Sequence, residues 1–273
     1  MIKRLPLSIH YVVLSLFAFM ILYPVLFTFI SSFMTAEESQ VYPPTILPKS
    51  FYLQNFIEVI GLVPIVRFIL NSFWVSSVVM IGQIITASLA AYAFAFIPFK
   101  GKKFMFALFL STMMIPWEVT IIPNYLTIKS WGWMDSYSGL TIPFLASAFG
   151  IFLLRQFFLQ LPKELMEAAR MDGCGHLRIF GSIILPLSRP ALGTLGVYVF
   201  LNIWNQYLWP LLITNTPTLR TVQIGISMLK WEEFISYNLV LAGVALVLLP
   251  SLLLLVLGLN QLVQGITAGA VKG

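Results

Sequence analysis

The 273-residue chain is 59% apolar and only 10% charged, against the ~45–50% and ~25% of soluble chains, so it lacks the polar surface a water-soluble fold requires. Its mean hydropathy of +0.92 turns the excess toward lipid. A single cysteine, Cys174, excludes a disulfide scaffold, and the net charge of +6 reads as a topology signal because the basic residues fall between apolar runs rather than in a nucleic-acid patch.

A helix needs ~20 apolar residues to cross the hydrocarbon core. The first run, about Tyr11 to Met34, carries no charge. It exceeds the ~7–15-residue core of a signal peptide and has no small-residue cleavage site, so it reads as a span. Residues 35–66, with the proline-rich stretch Val41–Pro48, read as an outer loop. The second run lies between Arg67 and Lys100. Gln83 is its mid-span polar residue, and Ala87, Ala91 and Ala95 recur every four residues, a spacing that lets helices approach closely.

The third run, Phe104 to about Leu126, is interrupted by Pro116 and Pro123, with Met113 and Met114 read as packing filler. On a straight helix Glu118 lies ~21 Å along from Phe104, level with Asn202–Gln206. It reads either as an intramembrane site acid or as an interfacial acid around which the two prolines open the helix. After the outer-loop aromatics Trp131–Gly132–Trp133, the fourth run spans about Ser138 to Phe158, with Arg155 near its end. The fifth runs from about Pro190 to Thr214 and the sixth from about Leu239 to Leu262. These runs predict an all-α polytopic membrane protein with six transmembrane helices.

With the N-terminus inside, the inner segments hold 11 basic residues: Lys3, Arg4, Lys100, Lys102, Lys103, Arg155, Lys163, Arg170, Arg178, Arg189 and Lys272. The outer segments hold 5: Lys49, Arg67, Lys129, Arg220 and Lys230. The positive-inside rule therefore puts both termini in the cytoplasm.

Catalytic constellations are missing. His10 and His176 lie on different segments; there is no His-Glu-x-x-His, no Gly-x-Ser-x-Gly, and Gly101–Lys102 lacks the upstream glycine of a phosphate-binding loop. The chain is expected to be no enzyme, to hold no cofactor or metal, and to draw on an ion gradient or a partner for energy.

The inner segment from about Leu159 to Arg189 is the most charged. Its first part predicts a short surface helix, Lys163–Met171: Pro162 suits a helix start, Glu164 and Glu167 suit the positive N-terminal end, and Gly173 and Gly175 suit the stop. Pro186 and Pro190 mark the beginning of span five. Cys174 reads as a small buried residue beside this helix.

Glu167–Ala168–Ala169, then Gly173, Ile183 and Leu185–Pro186, reproduces the spacing of the EAA motif. With Leu161–Pro162, Asp172, Trp204–Pro210 and the ending Gly269–Gly273, the chain resembles ABC importer permeases of the carbohydrate-uptake family. The likeness is to the maltose- and glycerol-3-phosphate-type second subunit. Cys174 stands where that family usually has a small alanine.

The resemblance implies a type I importer permease fold. Its residues 67–264 would form the core, following a first helix and loop over 1–66 and preceding a cytoplasmic tail over 265–273. It also implies a second permease subunit, two ATPase subunits that bind ATP and Mg, and an extracytoplasmic solute-binding protein. Glu167, Ala168, Ala169, Asp172, Gly173, Leu185 and Pro186 would then couple to an ATPase. Ala270, Val271, Lys272 and Gly273 would reach between the two ATPase subunits.

On span five, Tyr198, Asn202, Asn205, Gln206 and Trp209 fall at offsets 0, 4, 7, 8 and 11, one face of a continuous helix. Amides and aromatics can hold sugars or polyols, but the same amides would serve helix–helix contact. Two rival functions remain on the residues alone. A secondary transporter dimer would need an ion site and inverted repeats, for which only Glu118 offers support; a non-transporting scaffold would have no reason for the polar stripe. Mid-span Lys or Arg is absent, so a phosphate cargo would need a cation from elsewhere.

Overall fold

The structure, a computed structural model, describes residues 7–42, 45–231 and 237–267. Among them every regular element is a helix. The tail residues Ala270, Val271, Lys272 and Gly273 lie outside the described residues, as do Lys3 and Arg4. The chain divides into two compact units, one of residues 1–66 with 225–250 and the other of 67–224 with 251–273.

In the first unit, α1 (Leu7–Ser31) is apolar along its length, with Pro24 inside it, and Thr28 Oγ1 donates to the Pro24 carbonyl at 2.9 Å. The expected loop 35–66 contains two short helices, α2 (Ala36–Gln40) and α3 (Gln54–Leu62). Thr35 and Glu38 form a reciprocal cap on α2: Thr35 Oγ1 accepts from the Glu38 amide, and Glu38 Oε2 accepts from the Thr35 amide at 3.1 Å. The other Glu38 oxygen accepts from the Lys49 amide at 3.1 Å, so a buried carboxylate folds the loop back on itself. Buried Asn55 donates to the Ser32 and Met34 carbonyls and accepts from Asn238 Nδ2 at 2.7 Å.

The second unit begins in α4 (Ile65–Phe96), whose course from Arg67 onward crosses its core. Ala87 and Ala91 are fully buried, and Gly150 leaves only 3.2 Å between an added Cβ and the Ala87 methyl. The small-residue spacing does bring two backbones together. Lys102 Nζ donates to the Ala95 and Ile97 carbonyls, 3.1 Å each, neutralising the negative C-terminal end of α4. Arg155 Nε donates to the Phe94 carbonyl while its guanidinium lies 4.1 Å from the Phe106 ring centroid.

Among the described residues, three helices are long and apolar enough to cross a membrane: Ser8–Ser31, Ile65–Phe96 and Tyr237–Gln261. Three bent pairs satisfy the same test jointly, so the span count reaches six when each pair is one span. The first pair, α5 (Lys102–Thr112) and α6 (Trp117–Ser130), bends by 94° at Pro116, whereas Pro123 stays inside α6 without breaking it. The second joins α7 (Tyr137–Thr141), a 3-10 turn over Ile142–Phe144 and α8 (Ala148–Phe158), bent by 43°. α9 (Lys163–Met171) follows. The third pair runs from α10 (His176–Ile179) through a π turn at Phe180–Ile184 and α11 (Leu185–Leu187) into α12 (Arg189–Trp204), bent by 76° at Ser188. α13 (Leu208–Ile213), α14 (Val222–Trp231) and α15 (Tyr237–Thr267) complete the order.

These bends correct three sequence expectations. Glu118 does not lie ~21 Å along a straight third helix, because the axis turns by 94° before it; it is exposed in the first turn of α6. Met113 and Met114 sit at that bend, 46% and 83% exposed, and do not fill this chain's core. The fifth run is not one helix to Thr214 but ends at Trp204.

Asp135, between α6 and α7, has the rare φ of 54°. Its Oδ1 accepts from the Asn215 amide, the Thr216 amide and the Thr216 hydroxyl at 3.0–3.1 Å. Desolvation would raise the carboxyl, but these donors and the nearby Arg220 charge outweigh it and hold it below the usual carboxylate range. The folded value lies below the unfolded one, so the tether is complete above the unfolded pKa of ~3.9. It is lost as pH falls through the folded value. Hydrogen-exchange protection at Asn215 and Thr216 is expected to drop only below about pH 4. Asp135→Asn should remove that acid step. Protection that stays constant through this range in the unmutated chain would refute the tether.

Candidate functional site

Backbone breaks inside a membrane protein leave carbonyls and amides without helical partners, and they are tolerated where they line a cavity. In the second unit three breaks meet around one cavity of about 1080 Å³. They are the α5–α6 bend (Thr112, Met113, Trp117), the 3-10 turn and the start of α8 (Pro143–Phe149), and the gap between α12 and α13 (Asn205–Tyr207). The volume lies just above the ~300–1,000 Å³ typical of small-molecule sites.

All five stripe residues line it, although the helix that was to align them stops midway. Tyr198, Asn202 and Asn205 follow the α12 repeat; Gln206 and Trp209 are brought in by the break. Their roles differ. Asn205 is the C-cap of α12: its Nδ2 donates to the Leu201 carbonyl at 2.8 Å and its Oδ1 accepts from Gln223 Nε2 at 3.3 Å. Trp209 is 1% exposed, its Nε1 donating to the Gly139 carbonyl at 3.0 Å and its ring 5.6 Å from Trp117 and 5.9 Å from Phe144. Its ring forms part of the cavity wall. The side-chain amides of Asn202 and Gln206 meet no hydrogen-bond partner among the described residues. Tyr198 is 45% exposed, with its ring 4.7 Å from Phe149.

Gln83 also lines the cavity, but its Nε2 donates to the Phe144 carbonyl at 2.7 Å, and Thr86 Oγ1 donates to the Leu145 carbonyl at 2.6 Å. The two side chains on α4 thus satisfy carbonyls released at the 3-10 turn. Glu118 is not among the lining residues. Trp117, Phe149 and Ser147 line it unforeseen; the Pro143–Ser147 break was signalled by Pro143 and by Ser147, whose Oγ caps α8 through the Gly150 amide.

The second feature is α9, at the bounds the sequence predicted. Met166 and Ala169 are its buried face, while Glu164, Glu167 and Ala168 are exposed, and Asp172 caps it exposed. Its end is a Schellman motif: the Gly173 amide donates to the Arg170 carbonyl (3.0 Å) and the Cys174 amide to the Ala169 carbonyl (2.9 Å). Gly173 has φ 78°, and nothing lies within 4 Å of an added Cβ. Gly175 is not part of this stop: its φ is −75° and it begins α10. Cys174 is half-buried against the core rather than fully buried. Leu185 and Pro186 lie at the far end of the π turn, Leu185 half-buried and Pro186 exposed. His176 Nδ1 lies 3.0 Å from the Tyr92 hydroxyl, linking the start of α10 to α4.

Gly173→Val is expected to unpin the end of α9 by backbone strain alone, at a cost of roughly 1–2 kcal/mol, whereas Gly173→Asn should be nearly neutral. Limited proteolysis around residues 172–175 should be faster in the valine variant only. Equal cleavage of the two would show that φ at Gly173 is not the constraint.

A family model described as "Binding-protein-dependent transport system inner membrane component" matches residues 83–264. The chain is similar to the sn-glycerol-3-phosphate transport system permease protein UgpE of Brucella melitensis, 37% identical over 278 residues covering 97% of this chain and 98% of that one. The protein of the same name from Yersinia pestis is 38% identical over 257 residues, covering 90% and 91%. Among solved structures, a chain from the crystal structure of a bacterial ABC transporter involved in import of the acidic polysaccharide alginate superposes with a TM-score of 0.83. It is 22% identical, with 93% of this chain and 95% of that one covered.

Proposed function

The chain belongs to the binding-protein-dependent transport system inner membrane components and is an ABC importer permease; from that membership we propose that it forms half of a translocation pathway for a carbohydrate or polyol phosphate. The observation that carries this reading is the cavity assembled at three helix breaks, walled by aromatics and amides. The names of the relatives support glycerol-3-phosphate as one cargo within that class.

In this reading residues 67–264 are the permease core, residues 1–66 add a first helix and its loop, and residues 265–273 are the C-terminal end, in which 265–267 continue α15. Both termini are cytoplasmic. The partners are a second, different permease subunit, two ATPase subunits that bind ATP and Mg and supply the enzymatic activity, and a solute-binding protein. This chain holds no cofactor and no nucleic acid. Exposed α9 seats in an ATPase subunit through Glu167, Ala168 and Asp172, with Gly173, Leu185 and Pro186 holding the helix and the segment behind it. Ala270–Gly273 would reach between the two ATPase subunits.

The test is uptake into vesicles bearing the complete importer. Uptake should require ATP and the solute-binding protein and survive collapse of the proton gradient. Uptake that persists without ATP and disappears with the gradient would make the chain a secondary transporter instead.

A further inference from the structure

The geometry points to a site in this chain for the uncharged, hydroxyl-bearing part of the cargo, held by Asn202 and Gln206 against the Tyr198–Phe149 wall. The inference rests on the importer reading above and narrows what this subunit contributes to it. Three observations carry it. Among the described residues that line the cavity, none is charged. Of its four lining amides, Gln83 and Asn205 are consumed by the breaks they stabilise, while Asn202 and Gln206 are left without partners among the described residues. The aromatic pair Tyr198 and Phe149 presents an apolar surface beside them.

Each primary amide offers two donors and a two-lone-pair acceptor. A hydroxyl uses both kinds, because it donates one hydrogen and accepts others. A phosphate only accepts, so the amide oxygens would oppose it, and its charge would be desolvated here without a compensating cation. The shared chemistry is therefore adjacent hydroxyls on a carbon chain or ring. The glycerol end of a glycerol phosphate supplies them, and so does a neutral saccharide. An anionic group, where the cargo has one, is held by side chains other than those lining this cavity.

The experiment measures transport efficiency, kcat/KM, for sn-glycerol 3-phosphate and for maltose in ATP-loaded vesicles carrying the complete importer. Assembled amounts are matched by purification. Asn202→Leu and Gln206→Leu should each lower efficiency roughly five- to tenfold for the cargo carried, the scale of one or two lost hydrogen bonds. Asn202→Lys and Gln206→Lys should lower it at least as much, because an added cation finds no anion there. Lysine variants that raise efficiency for sn-glycerol 3-phosphate above the unmutated importer would place the phosphate in this cavity and overturn the inference. Leucine variants that assemble and transport normally would overturn it too. Uptake by the unmutated importer that runs without ATP would instead overturn the importer reading, before any variant is made.

Discussion

Glu167→Lys is expected to abolish ATP-driven uptake, by roughly a hundredfold, with the amount of assembled transporter unchanged. Met166 and Ala169 seat α9 on the chain's own core, and Glu167 points away from that contact into solvent. An exposed carboxylate on a helix locked at its end by a Schellman motif is a charge held in a fixed direction. Reversing it leaves the fold intact, since no side chain of this chain pairs with it among the described residues. The expected cost falls on the proposed docking to an ATPase subunit, where a basic partner for Glu167 would meet a like charge. Glu167→Gln should be intermediate. Uptake in Glu167→Lys at the rate of the unmutated transporter would show that α9 couples, if at all, through its apolar residues.

The second large effect is structural. Gly139→Val should destabilise the chain by about 3 kcal/mol or more, the upper range for overpacking a tight core. A Cβ at Gly139 would collide with the Trp133 carbonyl oxygen, which is backbone and cannot rotate away, and would also lie 3.1 Å from Ile213 and 3.3 Å from Ile128. The same glycine accepts the Trp209 indole hydrogen bond. Displacing α7 therefore loosens the wall of the cavity and the junction with α13 together. Membrane abundance and the thermal midpoint in detergent should both fall. Gly61→Ala, with nothing within 4 Å of its added Cβ, supplies the contrast. A valine variant with an unchanged midpoint would show that α7 has room to move.

Local chemistry in this chain was readable where the cause was local. The bounds of α9, its glycine stop and the packing of Ala87 and Ala91 follow from capping, φ and side-chain size. Composition could locate six apolar runs but not the direction of their axes, so a 94° turn at Pro116 looked the same as a gentle kink there. That is why a straight-helix distance from Phe104 could not place Glu118. The stripe on span five shares one cavity for a reason its spacing did not contain: the helix ends at Trp204, and the break delivers Gln206 and Trp209. Which of two glycines stops α9 was also hidden, since only Gly173 is left-handed. The reciprocal cap of Thr35 and Glu38 had a legible Thr-x-x-Glu signature, concealed by the proline-rich sequence beyond it.

The broken helices bear on how the chain enters its membrane during synthesis. With eleven residues, α5 rises ~16 Å at 1.5 Å per residue, about half of the ~30 Å hydrocarbon core. α8 has the same length. Neither can be released into lipid alone without exposing unpaired backbone ends to hydrocarbon. The unbroken helices α1, α4 and α15 can partition one at a time, whereas a bent pair is expected to enter lipid only once a neighbour shields its break. For the 3-10 turn that neighbour is α4, which is synthesised first and carries Gln83 and Thr86 ready to receive the freed carbonyls. For this break the order along the chain places the shielding helix first.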